Sequence, residues 1–308
     1  MAARDPSVSF REELPVPVTN LAIYEHIYVL EQWLRRIAYA SLMAKHGPDW
    51  KAALPDQLAH DLKGRLNQLR GRVHLHAENS DNAIWLLTLE ELRLLLTAQG
   101  VWPLVKDLTQ IPKRALEYKL DELREIRNIV GHSRATTRET AEIVEAIATT
   151  LRPAIDSFKQ QLLYGAHDRI HLDDRDDDGG SVSKLFAELT RNNDWSKFQP
   201  MLSSSAYFYS LTRLPVAPFD VFLRVKAFLR EMGHVEHVVL AVLVNKAGDE
   251  FTLCWPKKAT EAQHERLVRF FVASHADEWT ETEYERQSAS AVCDPRIWFY
   301  ENQQLVEE

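Results

Sequence analysis

Leu116-Glu-Tyr-Lys-Leu120-Asp-Glu-Leu123-Arg-Glu-Ile126-Arg127-Asn128-Ile-Val130-Gly131-His132 decides how the first half of this 308-residue chain is read. At about 100° per residue, Leu116, Leu120, Leu123, Ile126 and Val130 fall within about 120° of one another, the apolar stripe of a helix packed on a core. Arg127 falls inside that stripe. A guanidinium aimed into an apolar seam is costly unless it is paired or hydrogen-bonded, so its presence there points to a purpose. Gly131 permits the helix to end. A continued helix would set Arg127 and His132 about 140° apart, whereas a helix broken after Val130 lets both side chains converge on one cleft.

Residues 19–163 carry helical signals almost throughout. A first helix starts near Thr19 or Asn20, carries Tyr24, Tyr28, Leu34 and Ala38 at helical spacing, and stops at Gly47-Pro48. A second covers about residues 55–72. A third opens on a capping box, Thr88 with Glu91, followed by Leu92, Leu95 and Leu96. The quoted segment supplies a fourth, over about residues 112–130. A fifth opens on another capping box, Thr136 with Glu139, and runs through Ile143, Ile147, Leu151, Ile155 and Leu162, with a kink or break expected at Pro153. Tyr24, Tyr28 and Trp33 are expected in the core rather than as stacking platforms.

Residues 165–183 are acidic, glycine-containing and nearly free of large apolar side chains, as in a solvated linker. Asp174 to Gly179 imitates half a calcium loop, but the twelfth position, which needs a bidentate Glu, is Leu185. Residues 184–308 alternate in character. Helices are expected at 184–191, 220–232 and 260–275, and strands at 206–211, 237–244 and 250–255, the last two forming a hairpin. Trp298, Phe299 and Tyr300 form a closing strand. The fold class expected is an all-α bundle followed by a smaller α+β domain. The divisions are an N-terminal extension at 1–18, the bundle at 19–164, the linker at 165–183 and the second domain at 184–308.

Composition narrows the function classes. No stretch approaches the roughly 20 apolar residues of a membrane-spanning helix, and residues 1–18 lack the apolar centre of a secretory signal. The two cysteines, Cys254 and Cys293, have no CxxC spacing, which argues against a disulfide scaffold or a cysteine-rich zinc site and fits the cytoplasm. His74 and His76 alternate as in an exposed extended segment, with no further ligand nearby, so no metal and no cofactor is expected. Of the net charge of -8, residues 1–165 contribute nothing, with 21 cations against 21 anions; the acidic excess belongs to residues 166–308. A protein that coats nucleic acid carries a basic stripe. RNA contact here is therefore expected at a small local site.

Spacing alone does not single out Arg127 and His132. Arg70 with His76, Arg230 with His237, and Arg269 with His275 repeat the pattern of Arg, four to six residues, then His. Context separates the first pair: a polar Asn128 follows the arginine, a helix terminus lies at Gly131, and a capped helix comes next.

The stretch from Leu120 to His132 resembles the signature of the HEPN superfamily, in which an Arg followed by a polar residue precedes a His by four to six residues. Trp33-Leu34-Arg35-Arg36 with Gly47-Pro48-Asp49-Trp50, and Leu87-Thr88-Leu89-Glu90-Glu91-Leu92 with Trp102, are similar to the HEPN branch found fused to nuclear mRNA endonucleases and standing alone in bacteria. The resemblance covers about residues 19–163. It implies a metal-independent endoribonuclease in which two bundles pair as a homodimer across one cleft, of the kind that serves bacterial defence or growth arrest. Carried onto this chain, His132 transfers protons at the ribose 2′-hydroxyl or the leaving oxygen, a task suited to an imidazole. Arg127 grips the scissile phosphate through its planar fork, and Asn128 orients one of them or contacts RNA. Some HEPN toxins carry a modifiable Tyr two residues after the His; that position here is Arg134, which puts such control in doubt. The C-terminal half implies no second chemistry and is expected to contact a protein partner, to sense, or to shield the cleft. Blander alternatives stay open: a structural Arg127 paired with an acid on a neighbouring helix, a His132 that only ends a helix, a bundle that binds RNA or protein without cutting, and a bundle that only dimerises.

Overall fold

The computed structural model describes residues 16–70, 83–165, 196–202, 207–213, 241–245, 251–256, 259–260, 262–263, 265, 297–301 and 304–305. The helical part comprises α1 (Val18–His46), a 3-10 turn (Gly47–Ala53), α2 (Asp56–Arg70), a second 3-10 turn (Ala83–Leu86), α3 (Leu89–Thr97), α4 (Trp102–Thr109), α5 (Lys113–Gly131) and α6 (Arg138–Gly165). The all-α bundle expected from the sequence is present. No helix among the described residues is long and apolar enough to cross a membrane.

Helix α1 is the axle of the bundle. Its first half is one-sided, burying Ile23, Ile27, Leu30 and Leu34. From Ile37 to Ala44 every residue is buried, so neighbours surround this half on all sides. Three small alanines there (Ala38, Ala40, Ala44) let helices approach closely, and Ser41 resolves its own burial by donating to the Ile37 carbonyl at 2.8 Å. Helices α4, α5 and α6 contact α1, and α3 lies against both α1 and α5.

Polar ties fix these packing partners. The capping box at α3 forms as expected: the Glu91 amide donates to Thr88 Oγ1, and the Glu91 carboxylate accepts from the Thr88 amide at 2.7 Å. The same carboxylate takes both prongs of Arg65 from α2, at 2.6 and 2.7 Å. Between α3 and α5, Glu90 accepts from Arg93 at 2.6 Å and from Arg124 at 2.8 Å, while Arg93 also reaches Asp121 at 3.1 Å. The hydrogen bond from Arg93, then that from Arg124, outweighs partial burial and holds the Glu90 carboxyl below its ordinary range. Burial pushes Glu91 upward, but Arg65 and Thr88 together draw it down further. Carboxyls lowered on folding stabilise the fold above the unfolded-state pKa of about 4.3 and lose that contribution as pH falls through the folded value. Thermal unfolding should therefore move to lower temperature from about pH 4.5 downward, and Glu90→Gln should flatten that slope. A wild-type midpoint unchanged down to about pH 3 would contradict these ties.

The structure departs from the sequence expectations at several places. The cap of α6 is Thr137, whose Oγ1 accepts from the Thr140 amide; Thr136 instead donates its hydroxyl to Asn20. Helix α6 runs unbroken through Pro153, because losing one amide donor does not end a helix whose neighbours Leu151, Ala154 and Ile155 are buried. Helix α4 was not expected: its eight residues are too few for a clear period, although Pro103 at the start of Trp102–Thr109 is the appropriate signal. Tyr24 and Tyr28 lie on the surface, not in the core, while Trp33 is buried as expected.

A six-stranded sheet follows: β1 (Ser196–Leu202), β2 (Tyr207–Arg213), β3 (Ala241–Asn245), β4 (Phe251–Pro256), β5 (Ile297–Glu301) and β6 (Gln304–Leu305), in the order β1-β2-β4-β3-β5-β6. All neighbours are antiparallel except β3 and β5, which run parallel with Val242 opposite Ile297. The expected hairpin is β3–β4, pairing Val244 with Phe251. The expected closing strand is β5, though β6 folds back on it. Strand β1, with Pro200 inside, was not anticipated; it occupies the edge, where proline is tolerated. The buried Cys254 belongs to the same apolar cluster as the helices, and burial pushes its thiol up to about 12. Gly165, expected to open the linker, is the last residue of α6, while the rest of the linker (166–183) with its calcium-like run, His74 and His76, Cys293 and the helices expected at 184–191 and 220–232 lie outside the described residues. Of the one expected at 260–275, residues 262, 263 and 265 are helical.

Candidate functional site

Arg127, Asn128 and His132 sit at the C-terminal end of α5, and all three are exposed. The four residues that anchor this helix, Leu116, Leu120, Leu123 and Ile126, are buried as the stripe required. Arg127, however, is not in the seam; its side chain is 52% exposed. The angular position was right, but the last turn of α5 extends past the packed layer: Val130 is only half-buried and Ile129 is exposed. An angle gives a direction on a helix, not whether a neighbour stands there. The cost of a buried cation is therefore no argument for the purpose of Arg127.

The helix does not break after Val130. Gly131 is still helical, and His132 is the cap residue, its amide still bonded to the Asn128 carbonyl while its own angles (φ -93°, ψ 18°) leave the helical region. Ser133 takes the left-handed turn at φ 56° instead. Its amide bonds to the Val130 carbonyl at 2.9 Å and the Arg134 amide to the Ile129 carbonyl at 3.2 Å, the paired closure of a Schellman motif. Arg127 and His132 consequently stay about 140° apart around the helix. The convergence expected within one chain does not occur by that route.

Two residues that the sequence did not single out hold this end of α5. The first is Asn20 on α1, a buried amide. Its Nδ2 donates to the Arg134 carbonyl at 2.9 Å, and its Oδ1 accepts from the Thr136 amide at 3.1 Å and from the Thr136 hydroxyl at 2.6 Å. A helix-start asparagine resembles an ordinary cap, so only the fold discloses this longer reach. The second is Glu31, whose nearly buried carboxylate takes Arg35 at 2.8 Å and stands 3.8 Å from Arg127 Nε. Arg35 also donates to the Leu87 carbonyl at 2.9 Å. The shared acid favours Arg35; the longer, half-exposed Arg127 contact belongs to the class worth about 0–1 kcal/mol. The signal for Glu31 was an acid beside the apolar positions Ile27, Leu30 and Leu34.

Chemically, the end of α5 offers a cation with a two-pronged donor set, a carboxamide and an imidazole, all facing solvent. Among the described residues, neither Asn128 nor His132 spends its side chain on a hydrogen bond or ion pair, and no group of three or more His, Cys, Asp or Glu is arranged to hold a metal ion. Asn20→Ala should cost about 1–3 kcal/mol in chemical denaturation, since it orphans the Arg134 carbonyl and the Thr136 amide, and should speed amide exchange at 133–136. Unchanged stability and exchange would show that the loop does not depend on this latch. No protein-family model matches the chain, and neither a curated protein nor a solved structure does.

Proposed function

We propose that this chain is a HEPN-type endoribonuclease that works as paired bundles, with Arg127, Asn128 and His132 in the cleft. The observation that carries the reading is the solvent-facing trio at one helix end, clamped from behind by Asn20. In the reaction, the ribose 2′-oxygen attacks phosphorus and the bond to the 5′-oxygen breaks. The 2′-hydroxyl proton leaves to a base and the 5′-oxygen gains one. His132 serves as one of the proton carriers, a role open to an imidazole that makes no competing side-chain bond. Arg127 neutralises the non-bridging oxygens, where a rigid fork matches phosphate better than an ammonium does. Its loose contact with Glu31 lets the guanidinium turn to phosphate at little cost.

The angular separation supports pairing: one chain presents Arg127 and His132 to different sides, so a second copy is needed to bring one of each to the same phosphate. The same divergence, together with the contact to Glu31, favours a second reading in which the bundle binds RNA or a protein without cutting. Assaying the full chain on RNA in excess chelator separates the two. Cleavage that Arg127→Ala removes and Arg127→Lys restores only poorly supports the enzyme. Cleavage that chelator stops, or that both variants retain, contradicts it.

A further inference from the structure

The rim that faces the last turn of α5 belongs to α1. Asn20 meets Arg134 at one end and Glu31 meets Arg127 at the other, so this stretch of α1 runs antiparallel to residues 127–134. Tyr24 and Tyr28 lie between those two contacts, about 6 and 12 Å along the axis from Asn20 at about 1.5 Å per residue. Around the axis they sit about 20–80° beyond Asn20 and Glu31, on one flank. The rings are 60% and 52% exposed, and they stack on each other with centroids 6.4 Å apart and planes 28° from parallel. Exposed aromatic rings already held roughly parallel in an offset pair cost little to order and leave flat apolar surface for a third ring.

Charge distinguishes the occupant. On the α5 side of this flank stand two exposed arginines, Arg127 beside Glu31 and Arg134 tied through its carbonyl to Asn20, and Glu31 itself is engaged by Arg35. A cationic rim on a chain of net charge -8 is a local feature, and cations beside stacking rings are what a flexible polyanion with π-faces needs. From this juxtaposition we infer that Tyr24 and Tyr28 form a stacking platform for unpaired bases, so the RNA taken at this site is single-stranded. The inference rests on the RNA-binding part of the proposed function and not on cleavage. The exposed stripe continues to Leu21 and Val18, which makes a second copy of the chain the competing occupant.

The test uses the full chain carrying His132→Ala, so that RNA stays intact, and compares labelled single-stranded oligonucleotides with a duplex of equal length. Fluorescence anisotropy reads affinity and sedimentation velocity reads assembly. Tyr24→Ala with Tyr28→Ala should weaken single-strand binding by about tenfold or more. Tyr24→Phe with Tyr28→Phe should keep it, and duplex binding should be unaffected. Single-strand affinity that survives the alanine pair while Arg127→Ala lowers it overturns the platform and leaves the phosphate site standing. A loss of affinity that merely follows dissociation of a dimer assigns the stripe to a second copy and also overturns it. Binding through the tyrosines by a wild-type chain that never cuts keeps the platform and removes the enzyme. Binding of no RNA overturns both.

Discussion

His132→Ala should lower RNA cleavage by about 10²–10⁴-fold, the usual share of a proton-transferring side chain. It should leave stability within about 0.5 kcal/mol of wild type, as surface substitutions do. The two halves of this expectation have separate causes. His132 is exposed and ends α5 through its backbone, while the turn is closed by the amides of Ser133 and Arg134. Removing the imidazole therefore touches neither packing nor the Schellman closure. Single-turnover cleavage and chemical denaturation on the same preparation check both halves. A variant that unfolds easily would mean the histidine is structural, and one that cuts at the wild-type rate would exclude it from proton transfer.

Leu123→Ala should destabilise the protein by about 2–5 kcal/mol. Leu123 is fully buried in the stripe of α5, one turn before Arg127, in the cluster shared with α1 and α3. Deleting its branch removes apolar burial and leaves a hole that close-packed helices fill only in part. The exposed Tyr118 on the same helix is the control; its replacement by Ala should change stability by less than about 0.5 kcal/mol. Equal effects at the two positions would contradict the orientation of α5, and with it the placement of Arg127 and His132.

The helices legible in the sequence were those with several turns of apolar period and a chemical end signal. The stripe Leu116–Ile126, the Thr88 and Glu91 box and the Gly47-Pro48 stop all occur where periodicity and capping chemistry put them. The eight residues of α4 gave too short a window, and adjacent threonines at 136 and 137 offered two caps that differ by one residue. What escaped altogether depended on how far neighbouring helices extend. Arg127 lies at the angle of the core but beyond its edge, and Tyr24 and Tyr28 follow the helical period of α1 where they stay more than half exposed. Likewise, Asn20 and Glu31 support the site across more than 90 residues of sequence, a pairing that periodicity within one helix cannot disclose.

The ends of the RNA fragments test the central claim most directly. If the 2′-hydroxyl is the nucleophile, incubating the full chain with RNA in excess chelator should give 2′,3′-cyclic phosphate and 5′-hydroxyl ends, and substrates with a 2′-deoxy residue at the cut position should resist. A purified chain that binds RNA yet leaves it intact from mildly acidic to alkaline pH, or that produces 5′-phosphate ends, would contradict the account.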